Sequence, residues 1–211
     1  TGDPSTAKET LERALSADPE NTLAIASLAE FYEQLNPPNL KQSIALIEQA
    51  STLNPENIDF SSRLARLHLA LGDKEKALAI VQQQLEAHDK NSASLILAGD
   101  LFAALDNSPK AIHYYEQALA KDATSFSAAI KLAELRAMSE KRFDVVSQAY
   151  LNAIAIQPTR LLGYQRLIAA SVKHKQFEVA EHKLNQLSQQ TGVQEPYAIL
   201  ALFNAEQGNI E

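Results

Sequence analysis

Ala50-Ser51-Thr52-Leu53-Asn54-Pro55-Glu56-Asn57 decides the reading of this chain, because versions of the same phrase recur along it. Ala14-Leu15-Ser16-Ala17-Asp18-Pro19-Glu20-Asn21 precedes it; Ala118-Leu119-Ala120-Lys121-Asp122-Ala123 and Ala153-Ile154-Ala155-Ile156-Gln157-Pro158 follow. Asp89-Lys90-Asn91 is the copy between Pro55 and Ala123. Equivalent positions stand roughly 34 to 36 residues apart, a period that marks stacked repeats rather than a closed globule. Each unit of such an array buries its apolar face only against its neighbours, so the chain offers a long surface for partners instead of one central pocket.

Composition agrees with a helical array. The 211 residues are rich in Ala, Leu, Gln, Glu and Lys, hold six Gly, and contain neither Trp nor Cys. Without Cys there is neither a disulfide framework nor a thiol nucleophile. The net charge of −7 and the absence of a Lys/Arg stripe predict no nucleic-acid partner. The longest apolar runs fall far short of a membrane span, so no direct membrane insertion is expected. The compartment stays open between cytoplasm and bacterial periplasm.

Apolar residues recur at helical spacing throughout, as in Leu28, Ala29, Phe31, Tyr32 and Leu35, or Leu64, Leu67 and Leu71. Breakers punctuate them regularly: Asp18-Pro19, Asn36-Pro37-Pro38-Asn39, Asn54-Pro55, Gly72-Asp73, Asp106-Asn107-Ser108-Pro109 and Gln157-Pro158. Asn21, Asn57 and Asn91 are candidate N-caps, Ser108-Pro109 reads as a cap followed by proline at the first helical position, and Gly72 suits a left-handed helix end. Loops this short force consecutive helices to pack antiparallel.

Within each period the residue types resemble the tetratricopeptide repeat (TPR) family. Leu64-Ala65, His68, Gly72, Ala77 and Val81 occupy the signature places of one repeat; Leu95, Ala98-Gly99, Phe102, Ala111, Tyr115 and Ala118 occupy those of the next. Ile25, Leu28-Ala29, Tyr32, Ile47 and Ala50 match in front of them, and Tyr164, Leu167, Ala180 and Leu184 behind. The family's Trp is replaced by Ile25, Ser61, Leu95, Ala129 and Tyr164, while Ser43 and Val146 stand where Ala is usual. The resemblance implies an all-α fold, a right-handed superhelical solenoid of antiparallel helix pairs. Its phase predicts a single array over 1–211: a second helix over 3–19, five full repeats at 22–57, 58–91, 92–125, 126–160 and 161–193, and a first helix over 194–211. Neither end reads as a polar cap, so the array is expected to be an excerpt of a longer one.

Catalytic motifs are missing: there is no Gly-rich phosphate loop, no His-Glu-x-x-His, no Gly-x-Ser-x-Gly. The five His residues form no pair at i, i+4, so neither a metal nor a cofactor is expected. No enzymatic activity is predicted. The resemblance instead implies a peptide or partner helix on the concave face formed by the first helices. That face would carry Glu30, Ser62, Arg63, Arg66, Ile96, Asp100, Ile130, Lys131, Glu134, Gln165 and Arg166, apolar contacts interleaved with both signs of charge. Arg66, Asp100 and Glu134 could equally pair across adjacent repeats as surface salt bridges. Chaperone-binding members need Lys and Asn where this chain has Ala26 and Glu30, which disfavours that specificity.

The expected function is a protein–protein interaction scaffold. Leu97-Ala98-Gly99-Asp100-Leu101-Phe102 and the Asn-Pro-Glu-Asn turn look like long TPR proteins of bacterial envelope and exopolysaccharide assemblies. Two alternatives stand beside it: a self-assembly module forming a homo-oligomer through uncapped end helices, or a regulatory segment of an enzyme whose catalytic domain lies outside the chain.

Overall fold

The computed structural model describes residues 4–178 and, beyond them, positions 181, 182, 185 and 189. Every regular element that can be assigned bounds among the described residues is an α-helix: α1 (Pro4–Ala17), α2 (Thr22–Gln34), α3 (Leu40–Leu53), α4 (Ile58–Ala70), α5 (Lys74–Ala87), α6 (Ser92–Ala104), α7 (Ser108–Lys121), α8 (Phe126–Ser139), α9 (Phe143–Ile156) and α10 (Leu161–His174). They group into two compact units divided between Leu105 and Asp106, α1–α6 in one and α7–α10 in the other. The expectations for Ala180, Leu184 and the helix over 194–211 lie outside the described residues.

Within each unit consecutive helices pack on one another, and α4 also meets α6, as α8 meets α10. Asparagine starts many of them. Asn21, Asn39, Asn57, Asn91 and Asn107 each accept, at Oδ1, the backbone N–H of Ala24, Gln42, Asp59, Ser94 and Lys110 at 2.8–3.2 Å. A first-turn N–H has no partner inside its own helix, and a short side-chain acceptor supplies one. The cap of α7 is therefore Asn107 and not Ser108, which sits inside the helix with Pro109 in the first turn. Proline is tolerated there because its missing N–H would have been unbonded anyway. Gly72 closes α4 at φ 85°, the left-handed conformation that a side chain disfavours.

The core follows the repeat. Of the residues in the family's Trp place, Ile25, Leu95 and Tyr164 are buried with bulky side chains, and Ser61 and Ala129 with small ones. Ala29, Ala50, Ala77, Ala111, Ala118, Ala133 and Ala153 are fully buried, which lets helix backbones approach closely. In the second unit Phe126, Ala129, Ile130, Ala133, Phe143, Val146, Tyr150, Ile154, Tyr164, Leu167 and Ile168 form one continuous cluster. His68, at a place where the family carries Tyr, is 5% exposed with Nδ1 3.5 Å from Asp73 Oδ2.

Candidate functional site

In the first unit, α2 and α4 are tied by a charge cluster. Arg63 Nε donates to Glu33 Oε1 at 2.8 Å, and Arg63 Nη1 to the Ala26 carbonyl at 3.0 Å. Ser43 of α3 donates its hydroxyl to the same Glu33 oxygen at 2.7 Å. Ser43 occupies a fully buried place where sister helices carry Ala77 and Ala111, so its hydroxyl needs an acceptor, and Glu33 provides one. The Arg63 and Glu33 side chains are only 17% and 20% exposed. Arg63, expected to display its charge, is thus committed to holding two helices together. Arg66, 3.6 Å from the other Glu33 oxygen, is 70% exposed and remains on display.

Beside Arg66 runs a groove of about 180 Å³ between α4 and α6. Leu69, Leu97 and Leu101 give it apolar walls, Ala65 and Ala104 keep it open, and Ser62, Arg66 and Asp100 add polar groups. Three predicted contacts, Ser62, Arg66 and Asp100, therefore meet in one place. Glu30 is exposed on α2 and accepts from Gln34 Nε2 at 3.0 Å; Ile96 is half-buried on α6 outside the groove.

The second unit repeats the pairing. Arg166 Nε of α10 approaches Glu134 Oε1 of α8 at 2.7 Å, and Lys173 Nζ donates to the Ala137 carbonyl at 3.1 Å. These residues border a groove of about 440 Å³ with Met138, Tyr150, Ala169 and His174. Burial, with the Glu134 carboxylate adding and Arg166 opposing, pushes the Tyr150 phenol up from 10.0 to about 12. Tyr150 therefore keeps its proton as a hydrogen-bond donor at any physiological pH. Gln165 is exposed and Lys131 half-buried. Ile130 corrects the sequence reading: it is 5% exposed inside the core cluster, because it continues the inward stripe of Phe126 and Ala133. No group of three or more His, Cys, Asp or Glu among the described residues is placed to hold a metal ion.

The family model described as tetratricopeptide repeat matches residues 39–100, which hold α3–α5 and most of α6. Those residues match the tetratricopeptide repeat. Yeast Tom70 aligns over 99% of this chain and 44% of its own, with a TM-score of 0.76 and 14% identity. The human IFIT1 dimer solved with PPP-AAAA aligns over 87% of this chain and 45% of its own, TM-score 0.60, 20% identity. MamA aligns over 81% and 91%, TM-score 0.51, 16% identity. At these identities the likeness carries the TPR fold, and the chain spans under half the length of Tom70 and of IFIT1. No curated protein matches the sequence.

An all-α TPR fold is a scaffold for protein–protein interaction, its repeats presenting one helix face after another. Ser43, Leu101, Ala104, Met138 and Tyr150 belong to the described surroundings without having been singled out as site residues. A signal for the cluster was present: Ser43 breaks the TPR alanine position, and an acid late in one first helix precedes an arginine early in the next, as in Glu33 with Arg63 and Glu134 with Arg166. Among the described residues no helix is long and apolar enough to cross a membrane.

Proposed function

We propose that this TPR chain binds an extended segment of a protein partner on its first helices, within the groove between α4 and α6. The observation that carries this reading is the groove itself, about 180 Å³ with three leucines in its walls and Arg66 and Asp100 beside them. An apolar partner side chain fits such walls, while the neighbouring charges fix orientation and favour a segment that carries both signs. The second unit offers a comparable arrangement beside Arg166, Glu134 and the protonated Tyr150, which could accept a further part of a partner on its own.

The test separates displayed from committed charge. Peptides selected against the intact chain from a random library are titrated calorimetrically with wild type, Arg66→Glu and Leu69→Glu. Each substitution is expected to weaken binding by about tenfold or more, roughly 1.4 kcal/mol, with circular dichroism unchanged. Arg63→Glu is unsuitable because it would also break the helix tie to Glu33. Equal affinity across the three proteins overturns the reading.

A further inference from the structure

Charge is spread unevenly over the repeats. Helix α2 carries Glu30 and Glu33 and no cation, whereas α10 carries Arg166 and Lys173 and no acid. Between Asp144 and Glu178 the cations are Arg160, Arg166, Lys173 and Lys175, and the sequence has neither Asp nor Glu. Arg160 is committed to structure: its guanidinium lies 4.4 Å from the centroid of the Phe126 ring and donates to Gln157 Oε1 at 3.3 Å. Arg166 and Lys173 instead border the second unit's groove of about 440 Å³, where Glu134 is the one acid in the lining. Salt screens exposed charges beyond about 10 Å, so these lining groups, rather than the net charge of −7, set the field at the groove.

Two donors in this groove have no acceptor among the described residues. Tyr150 of α9 keeps its ring in the core cluster and is only 4% exposed, yet it lines the groove. Its hydroxyl makes no hydrogen bond and is not among the polar atoms sealed from water, so the hydroxyl end is what the groove reaches. Burial, with the charge of Glu134, holds the proton on that phenol, and Arg166 also acts on it, which sets the hydroxyl close to both side chains. Arg166 is half exposed; Nε stands 2.7 Å from Glu134 Oε1, and its two terminal nitrogens meet no acceptor. Ala137, Ala169 and Ala170 leave room over these groups, and Met138, 78% exposed, forms an apolar lip.

We propose that this groove selects an acidic side chain, glutamate or aspartate, of a protein partner, its carboxylate accepting from the Tyr150 hydroxyl and from the terminal edge of Arg166. The inference rests on the reading above in taking a protein segment as the ligand, and adds which residue type of that segment the second unit requires. An ionised carboxylate only accepts hydrogen bonds, so it matches two donors without bringing an unpaired donor of its own. Bonds to an ionised group are roughly twice as strong as neutral ones, which separates an acid from its amide. One carboxylate occupies the terminal edge of Arg166 while Glu134 keeps Nε. A phosphate carries about −1.5 to −2 charges and would press against Glu134. The apolar lip and small walls receive the aliphatic stem of the acidic residue.

The test uses the single methionine of the chain, because a carbon-13 label on its methyl group gives one magnetic-resonance signal, at the lip of this groove. The intact labelled chain is titrated to millimolar concentration with the peptide Ala-Leu-Glu-Leu-Ala, acetylated and amidated at its ends, and with its Gln counterpart. The expected result is a saturable shift of the methyl signal for the Glu peptide and binding about tenfold or more weaker for the Gln peptide. Arg166→Gln binds the two peptides alike, and Tyr150→Phe, which keeps the core ring, weakens the Glu peptide about threefold or more. Arg66→Glu disables the groove between α4 and α6 and leaves this titration unchanged, so the two readings fail separately. No saturable shift, equal affinity of wild type for the two peptides, or a Glu preference that survives Arg166→Gln overturns the proposal. Tighter binding of inorganic phosphate, or of the Gln peptide with a free C-terminal carboxylate, than of the Glu peptide also overturns it, in favour of a phosphate or a chain-terminus site. Should Tyr150→Phe fail to fold by circular dichroism, Arg166→Gln at its half-exposed position decides alone.

Discussion

At the scale of single residues, the two arginine–glutamate pairs look alike in the sequence and differ in the molecule. Arg63 and Glu33 are mostly buried, and Glu33 also accepts the Ser43 hydroxyl; Arg166 and Glu134 are 50% and 37% exposed. Solvent and salt screen the second pair, and exposed pairs contribute about 0–1 kcal/mol. Removing Glu33 instead strands a guanidinium and a hydroxyl away from water, which costs roughly 1–3 kcal/mol or more. Glu33→Ala is therefore expected to lower the unfolding free energy by about that amount, and Glu134→Ala by under about 1 kcal/mol. Urea denaturation of the two variants measures both. Equal losses would show that burial does not set the worth of these pairs.

Helices and their ends were the most legible part of the chain. Apolar spacing, prolines and asparagines are local signals, and Asn21, Asn57 and Asn91 cap the helices for which the sequence marks them. The shift from Ser108 to Asn107 is a choice between adjacent acceptors that only backbone geometry settles. The site was less legible, because it depends on which residues of different helices meet. Arg63 and Arg66 lie on one helix three residues apart, yet only Arg63 faces Ala26 and Glu33 closely enough for two hydrogen bonds. Ile130 was expected on the concave face and falls on the buried stripe instead. Close helix packing supplies another prediction. A Cβ added at Gly163 of α10 would stand 2.7 Å from Ile154 Cγ1 of α9. Ile154 is fully buried, and Cγ1 lies near the root of its side chain, so the atom cannot swing aside. Alanine ordinarily helps a helix interior by up to about 1 kcal/mol relative to glycine. Here overpacking of about 1–3 kcal/mol outweighs that gain, so Gly163→Ala lowers the melting temperature. An unchanged or higher melting temperature in calorimetry would mean that α9 and α10 are free to separate.

At the scale of the whole molecule, net charge weighs against a polyanionic partner. Human IFIT1, a structural neighbour, was solved with PPP-AAAA. Binding a polyanion depends on cations that displace its counterions, and its affinity falls steeply with salt. This chain carries 19 Lys and Arg against 26 Asp and Glu, a net charge of −7, so its mean field repels phosphate. Local structure reinforces the field. Arg63 and Arg166, two of the cations that the sequence placed on the binding face, are each held within 2.8 Å of a carboxylate. An oligonucleotide would have to break those pairs before it gained its own, and for Arg63 that means opening the tie between α2 and α4. The expected outcome is that fluorescein-labelled oligo(A) shows no saturable anisotropy change with the intact chain at physiological salt, while a library-selected peptide binds under the same conditions. Saturable oligo(A) binding with a steep salt slope, lost in Arg66→Glu, would reverse the assignment and make the face of α4 and α6 a phosphate site.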